Sequence, residues 1–224
     1  MSGSARPATG MPAMAERALR TPAPWLEVPL ADLLDEIAAD SRIAGASSVA
    51  AVSVALAAAL SAKSARRSEA AMNSAAGAAA QADSLRRRAL ALGELNAEAY
   101  GRAAAALPAS DKSEGSTFGG VGSSAWRDLE IGEALARAND ALLALLELAG
   151  DVVVLAELVA ENGEPGARPD AAVAATLAEA GARAASHLIE INLLSGGSQD
   201  VRGRARAALE GASETARRAR AAGR

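Results

Sequence analysis

The sequence predicts an all-α protein, a bundle of about five or six helices around one buried, alanine-rich helix. Three observations lead there. Apolar residues fill 50% of the 224 positions, yet aromatics supply only 2%: Trp25, Tyr100, Phe118 and Trp126. Packing must then come from Ala, Leu, Val and Ile with closely approaching backbones, and Ala and Leu are among the strongest helix formers. Residues 43–62, IAGASSVAAVSVALAAALSA, carry no charge, and a helix that is small and apolar on every side belongs inside other helices or in lipid. No alternating apolar/polar run bounded by turn residues argues for a sheet.

The elements follow in order. Residues 1–24 mix Pro, Gly, Ser and Ala without a period or a continuous apolar segment. They read as a disordered N-terminal tail ahead of a single helical domain, 25–224. In LADLLDEIAAD, 30–40, Leu30, Leu33, Leu34 and Ile37 share a face, and Pro29 suits a helix entry. The charge-free helix follows, from about Gly45 to Arg67. Its length, roughly 33 Å at 1.5 Å per residue, would span a bilayer. Its Ala and Ser content and its charged, amphipathic neighbours favour a buried core helix instead.

A third helix, from about Ala70 to Leu107, carries Leu85, Leu90, Leu92, Leu95 and Ala99 as a buried stripe, with Arg86–Arg88 on the wet side. Residues 108–125 are Pro-, Gly- and Ser-rich and read as a flexible loop; Phe118 within it is either an apolar latch or part of a plain linker. A long helix from about Ala125 to Glu161 then starts after Ser123 or Ser124 as cap. Its core positions are Leu135, Leu142, Leu145, Leu146, Val153 and Leu158. NGEPGARP, 162–169, is a strong stop. Asp170 reads first as the N-cap of the next helix, whose buried side is Val173, Leu177, Ala180, Ala184 and Ile191. The last helix, 199–221, is rich in Arg and reads as a solvated, fraying end.

Composition also excludes functions. A net charge of −4 argues against a general nucleic-acid binder, and the few aromatics argue against single-strand stacking. With no cysteine, thiolate chemistry and Cys-ligated metals are ruled out. His187 is the sole histidine; with Glu190 one turn on it falls short of the three or four ligands of a typical metal site. The small-residue turn Ala44-Gly45-Ala46-Ser47-Ser48 opens the neutral helix, where a ligand or another backbone can approach exposed N–H groups.

Four segments together resemble the cyclodeaminase/cyclohydrolase family, the helical domain of formiminotransferase-cyclodeaminase and of methenyltetrahydrofolate cyclohydrolases. They are LLDEIAADSRIAGASSVAAVSVALAAAL (33–60), ELNAEAY (94–100), NGEPGARPDAAVAATLAEAGARAA (162–185) and IEINL (189–193). The resemblance implies that family's helical fold and homo-oligomeric pairing, here a homodimer. It implies a cytoplasmic protein acting on a one-carbon-substituted tetrahydrofolate, by ring closure with loss of ammonia or by hydrolysis of the methenyl bridge. The folate is substrate; no cofactor, metal, nucleic acid or membrane is expected. Asp170 is then the catalytic carboxylate, with Gly45, Ser47, Ser48, Asn96 and Asn192 as substrate-binding residues.

The chain departs from the family where chemistry is concentrated. The Pro-Gly-Gly-Gly-Ser turn keeps only Gly45 and Ser48. Asn96 stands for an Asp and so cannot serve as a base, Glu164 for an Asn, Pro169 for a Ser, and Lys63 for an apolar residue. These changes motivate the alternative, a catalytically inactive helical module for oligomerisation or interaction. On the residues alone, Asn96 reads as a polar residue on the surface, and Asn192 as either a ligand contact or a group satisfying its helix end.

Overall fold

The computed structural model describes residues 28–39, 45–106, 121–194 and 199–224. The expected tail 1–24, Ala44 and Phe118 lie outside the described residues. Six α-helices are described: α1, Leu30–Ala38; α2, Ala46–Arg67; α3, Ala75–Ala106; α4, Val121–Asn162; α5, Arg168–Leu193; and α6, Gln199–Ala222. A 3₁₀ turn, Pro165–Ala167, joins α4 to α5.

Helices α2 to α5 form an antiparallel four-helix bundle. α2 packs between α3 and α5, α4 closes the ring opposite it, and α6 lies along the α4/α5 seam. The core is alanine on α2 and α5 and leucine and valine on α4, where Leu142, Leu145, Leu146, Val152 and Val153 are almost wholly buried. Small side chains let α2 and α5 approach closely. A Cβ on Gly181 of α5 would sit 2.5 Å from Val54 Cγ2 and 3.1 Å from the Ala50 carbonyl oxygen.

Some boundaries and faces differ from expectation. α4 begins at Val121, so Ser123 and Ser124 lie inside its first turn instead of capping it, and 121–125 is helix rather than loop. α3 begins at Ala75, after a turn in which Ser68 Oγ accepts from the Glu164 amide at 3.0 Å. The buried side of α5 is Ala171, Ala174, Ala178, Ala182, Ala185 and Ile189. Of the predicted stripe, Leu177 and Ala184 are half-buried against the core, but Val173 is 51% and Ile191 47% exposed, and Ala180 is exposed too. Close packing on α2 selects small residues along most of the buried side, which leaves Val173 and Ile191 on the outer face. On α3, Leu95 is exposed as well, and on α1 Leu33 is buried while Leu30 and Leu34 are not.

The neutral helix is packed on three sides only. Val49 (41%) and Leu56 (56%) lie on an open stripe that runs from Gly45 and Ala46 through Ser53 and Leu60 to Lys63. Among the described residues α2 is the one helix long and apolar enough to cross a membrane, and half of its most apolar window is buried in the bundle.

α6 does not behave as a solvated end. Ala205, Ala212, Ala216 and Ala219 are buried, and its arginines reach carboxylates on α4 and α5. The most enclosed of these is Glu179, whose carboxylate takes Arg220 at 2.5 Å and Arg183 at 2.6 Å. Burial pushes this carboxyl up, but the bonds from Arg183 and Arg220 outweigh it and hold Glu179 below its ordinary value of 4.5. The carboxylate therefore contributes stability that is complete above the unfolded value and lost as pH falls through the lowered folded one. Glu179→Gln should cost roughly 2 kcal/mol at pH 7, the scale of a hydrogen bond to a charged group. Denaturant titrations of both proteins should show that gap closing on acidification; a gap independent of pH would contradict the assignment.

Candidate functional site

The six residues nominated from sequence fall into two places. Gly45, Ser47, Ser48, Asn96 and Asn192 gather at one end of the bundle. Gly45 is the exposed N-cap of α2, and Ser47 is half-buried behind it. Ser48 is 1% exposed, and its hydroxyl has no hydrogen-bond partner among the described residues. An unsatisfied buried hydroxyl is costly. Here it stands in the first turn of a helix, where backbone N–H donors already lack intrahelical partners.

Asn96 is not on the surface. It is 5% exposed in the α3/α4 seam, and its Nδ2 donates to the Ala138 carbonyl at 2.9 Å, using the second lone pair of a helical carbonyl. Asn192 neither caps α5 nor stands alone. Its Nδ2 donates to Asn139 Oδ1 at 2.9 Å, joining α5 to α4. Asn139 itself is buried and had not been singled out. Its signal was present: it lies four residues after Leu135 and three before Leu142, a polar residue on a leucine stripe at helical spacing.

Asp170 is elsewhere. It lies in the first turn of α5, but the N-cap is Ala167, and the Asp170 side chain makes no capping bond. Its carboxylate accepts from Lys63 Nζ at 2.8 Å. Lys63 is 18 residues along α2 from Gly45, about 27 Å at 1.5 Å per residue. Asp170 is similarly about 33 Å from Asn192 along α5. A single pocket holding Gly45, Ser47, Ser48, Asp170 and Asn192 therefore does not exist within one copy. The Lys63–Asp170 pair and the α2 tip mark the two ends of the same open stripe.

A groove of about 510 Å³ lies between α3 and α4, floored by Leu92, Leu95, Ala99, Ala134 and Ala141 and rimmed by Arg102 and Arg137. None of the nominated side chains lines it; Asn96, on the same seam, faces Ala138. His187 is exposed, and among the described residues no three of His, Asp and Glu gather as metal ligands.

The family model described as formiminotransferase-cyclodeaminase matches residues 29–211, from the start of α1 to the middle of α6. The chain belongs to this family. Among solved structures, formiminotetrahydrofolate cyclodeaminase from Thermotoga maritima superposes with a TM-score of 0.69 at 19% identity, covering 88% of this chain and 94% of that one. That likeness carries the fold. No curated protein matches the chain by sequence. The family match includes every nominated site residue and the buried Asn139. It ends before Arg218, Arg220 and Gly223, the last contacts of α6 with the bundle.

Proposed function

We infer that this protein is a cytoplasmic cyclodeaminase-like enzyme acting on a one-carbon-substituted tetrahydrofolate. Family membership over 29–211 is the observation that supports this reading most. The second support is the open α2 stripe. Two copies paired antiparallel across it, with the two-fold near Ser53 and Leu56, would hide Val49 and Leu56. The same pairing would set the Gly45–Ser48 tip of one copy beside Lys63 and Asp170 of the other. A homodimer with an isologous interface is the commonest way to close such a face. It also answers the separation of the candidate residues within one copy.

In this arrangement the small-residue tip admits the flat ring system, and Asp170 moves a proton at the amidine nitrogen or at water, as general acid–base catalysis requires. The opposing reading, a non-catalytic module, draws on one specific observation: Asp170 is already engaged by Lys63, a residue that replaces the family's apolar one. Equilibrium binding separates the two. Titration of the purified protein with 5,10-methenyltetrahydrofolate should show saturable binding that Gly45→Leu, at the exposed tip where an added Cβ meets nothing within 4 Å, removes while helicity is unchanged. No binding by the wild-type chain would leave the module as the better account.

A further inference from the structure

The last helix is held differently from the rest of the molecule. Its fully buried residues are alanines, Ala205, Ala212, Ala216 and Ala219, which bring little apolar area apiece, and its larger apolar residues packed on the core, Val201 and Leu209, both precede residue 212. What residues 212–222 add is charge. Ahead of them, Arg202 reaches Glu190 at 3.0 Å and Arg204 reaches Glu147 at 2.8 Å. Farther along, Arg218 pairs with Glu157 and Arg220 with Glu179. Arg183 of α5 donates to Ser213 Oγ at 3.1 Å. At the end, a Cβ on Gly223 would meet the Ala172 Cβ at 2.5 Å and the Arg168 carbonyl at 2.9 Å, so the tip of α6 rests on the first turn of α5. Two acceptors, Glu147 and Glu157, lie on α4 and two, Glu179 and Glu190, on α5, so the arginines staple both walls of one seam. Every contact in this set beyond residue 211 lies outside the family match.

We propose that residues 212–222 form a charge-latched strap, which leaves the α4/α5 seam as a unit while the four-helix bundle stays folded. The physical reason is the unequal response of the two parts to salt. The Arg218 and Arg220 side chains keep 45% and 37% of their surface in solvent, and ion pairs open to solvent on one side weaken as the screening length contracts, from about 10 Å at 0.1 M to about 3 Å at 1 M. Burial of Leu and Val in α4 does not weaken in this way. Segments with little apolar burial are the ones that open below the global unfolding free energy. Release of the strap uncovers Glu157 and Glu179, two carboxylates on adjoining helices, and leaves α2 and its stripe untouched.

Amide hydrogen exchange on the full-length protein tests this at low and high sodium chloride. Protection over 212–222 should fall about tenfold or more between roughly 0.05 and 1 M salt, while α2 and α4 amides keep theirs. In Arg218→Met/Arg220→Met the same amides should already exchange fast at low salt, with the α4 core still protected. Salt-independent protection of 212–222, a loss shared equally with α4, or full protection in the double variant would each overturn the strap. The readout does not depend on any folate activity.

Discussion

Gly181→Leu should cost the bundle about 3 kcal/mol or more, the upper range for forcing carbon atoms into a packed core. The backbone of α5 crosses α2 at this point so closely that even a methyl meets Val54 Cγ2 at 2.5 Å and the Ala50 carbonyl at 3.1 Å. Val54 and Ala50 are fully buried and cannot step aside without moving α2. Gly181→Ala is the graded control. It gains up to about 1 kcal/mol of helix propensity and loses more to the clash, so its net effect should be smaller and still unfavourable. Denaturant unfolding followed by circular dichroism reads both. A Leu variant as stable as the wild type would mean that α2 and α5 are not in the contact described.

Asp170→Asn should lower turnover of a formimino- or methenyl-substituted tetrahydrofolate by about 10² to 10⁴-fold, the usual contribution of a positioned acid or base. The fold should survive. The Lys63–Asp170 pair is partly exposed, and such pairs contribute about 0–1 kcal/mol. Mixing this variant with Gly45→Leu tests the shared site at the same time. If each site takes Asp170 from one copy and the Gly45 tip from the other, random re-association makes about half of the dimers mixed, each with one intact site, and the mixture regains about a quarter of wild-type activity. Mixtures as dead as the separate variants would place both residues in one copy's site or in none.

The neutral helix was legible in the sequence almost to the residue, because a run of Ala, Ser and Val without charge has few places to go in a helical protein. α6 was legible in extent but not in role. Its arginines read as solvated because their partners, Glu147, Glu157, Glu179 and Glu190, lie on other helices, and sequence does not show which surfaces meet. α5 was misread for a related reason. Hydrophobicity ranks Val173 and Ile191 above alanine, but close approach to α2 selects Ala174, Ala178 and Gly181 for size, so those two larger residues are left outside.

The candidate site was legible as a set of residue types and not as a place. Gly45, Ser48, Asn96 and Asn192 do share one end of the bundle. Asp170, named as their partner by the family resemblance, lies at the other end because α2 and α5 run antiparallel along their whole length. Asn139 escaped notice because one amide on a leucine stripe carries no motif, although its position alone marks it as buried.

The most direct measurement is the reaction itself. Purified protein would be given formiminotetrahydrofolate, with methenyl absorbance and released ammonia followed together. Catalysed, stoichiometric rise of both is the result this account predicts for the wild-type chain, with loss of both in Asp170→Asn. A wild-type protein that leaves both at the uncatalysed rate, and binds no reduced folate, would contradict it.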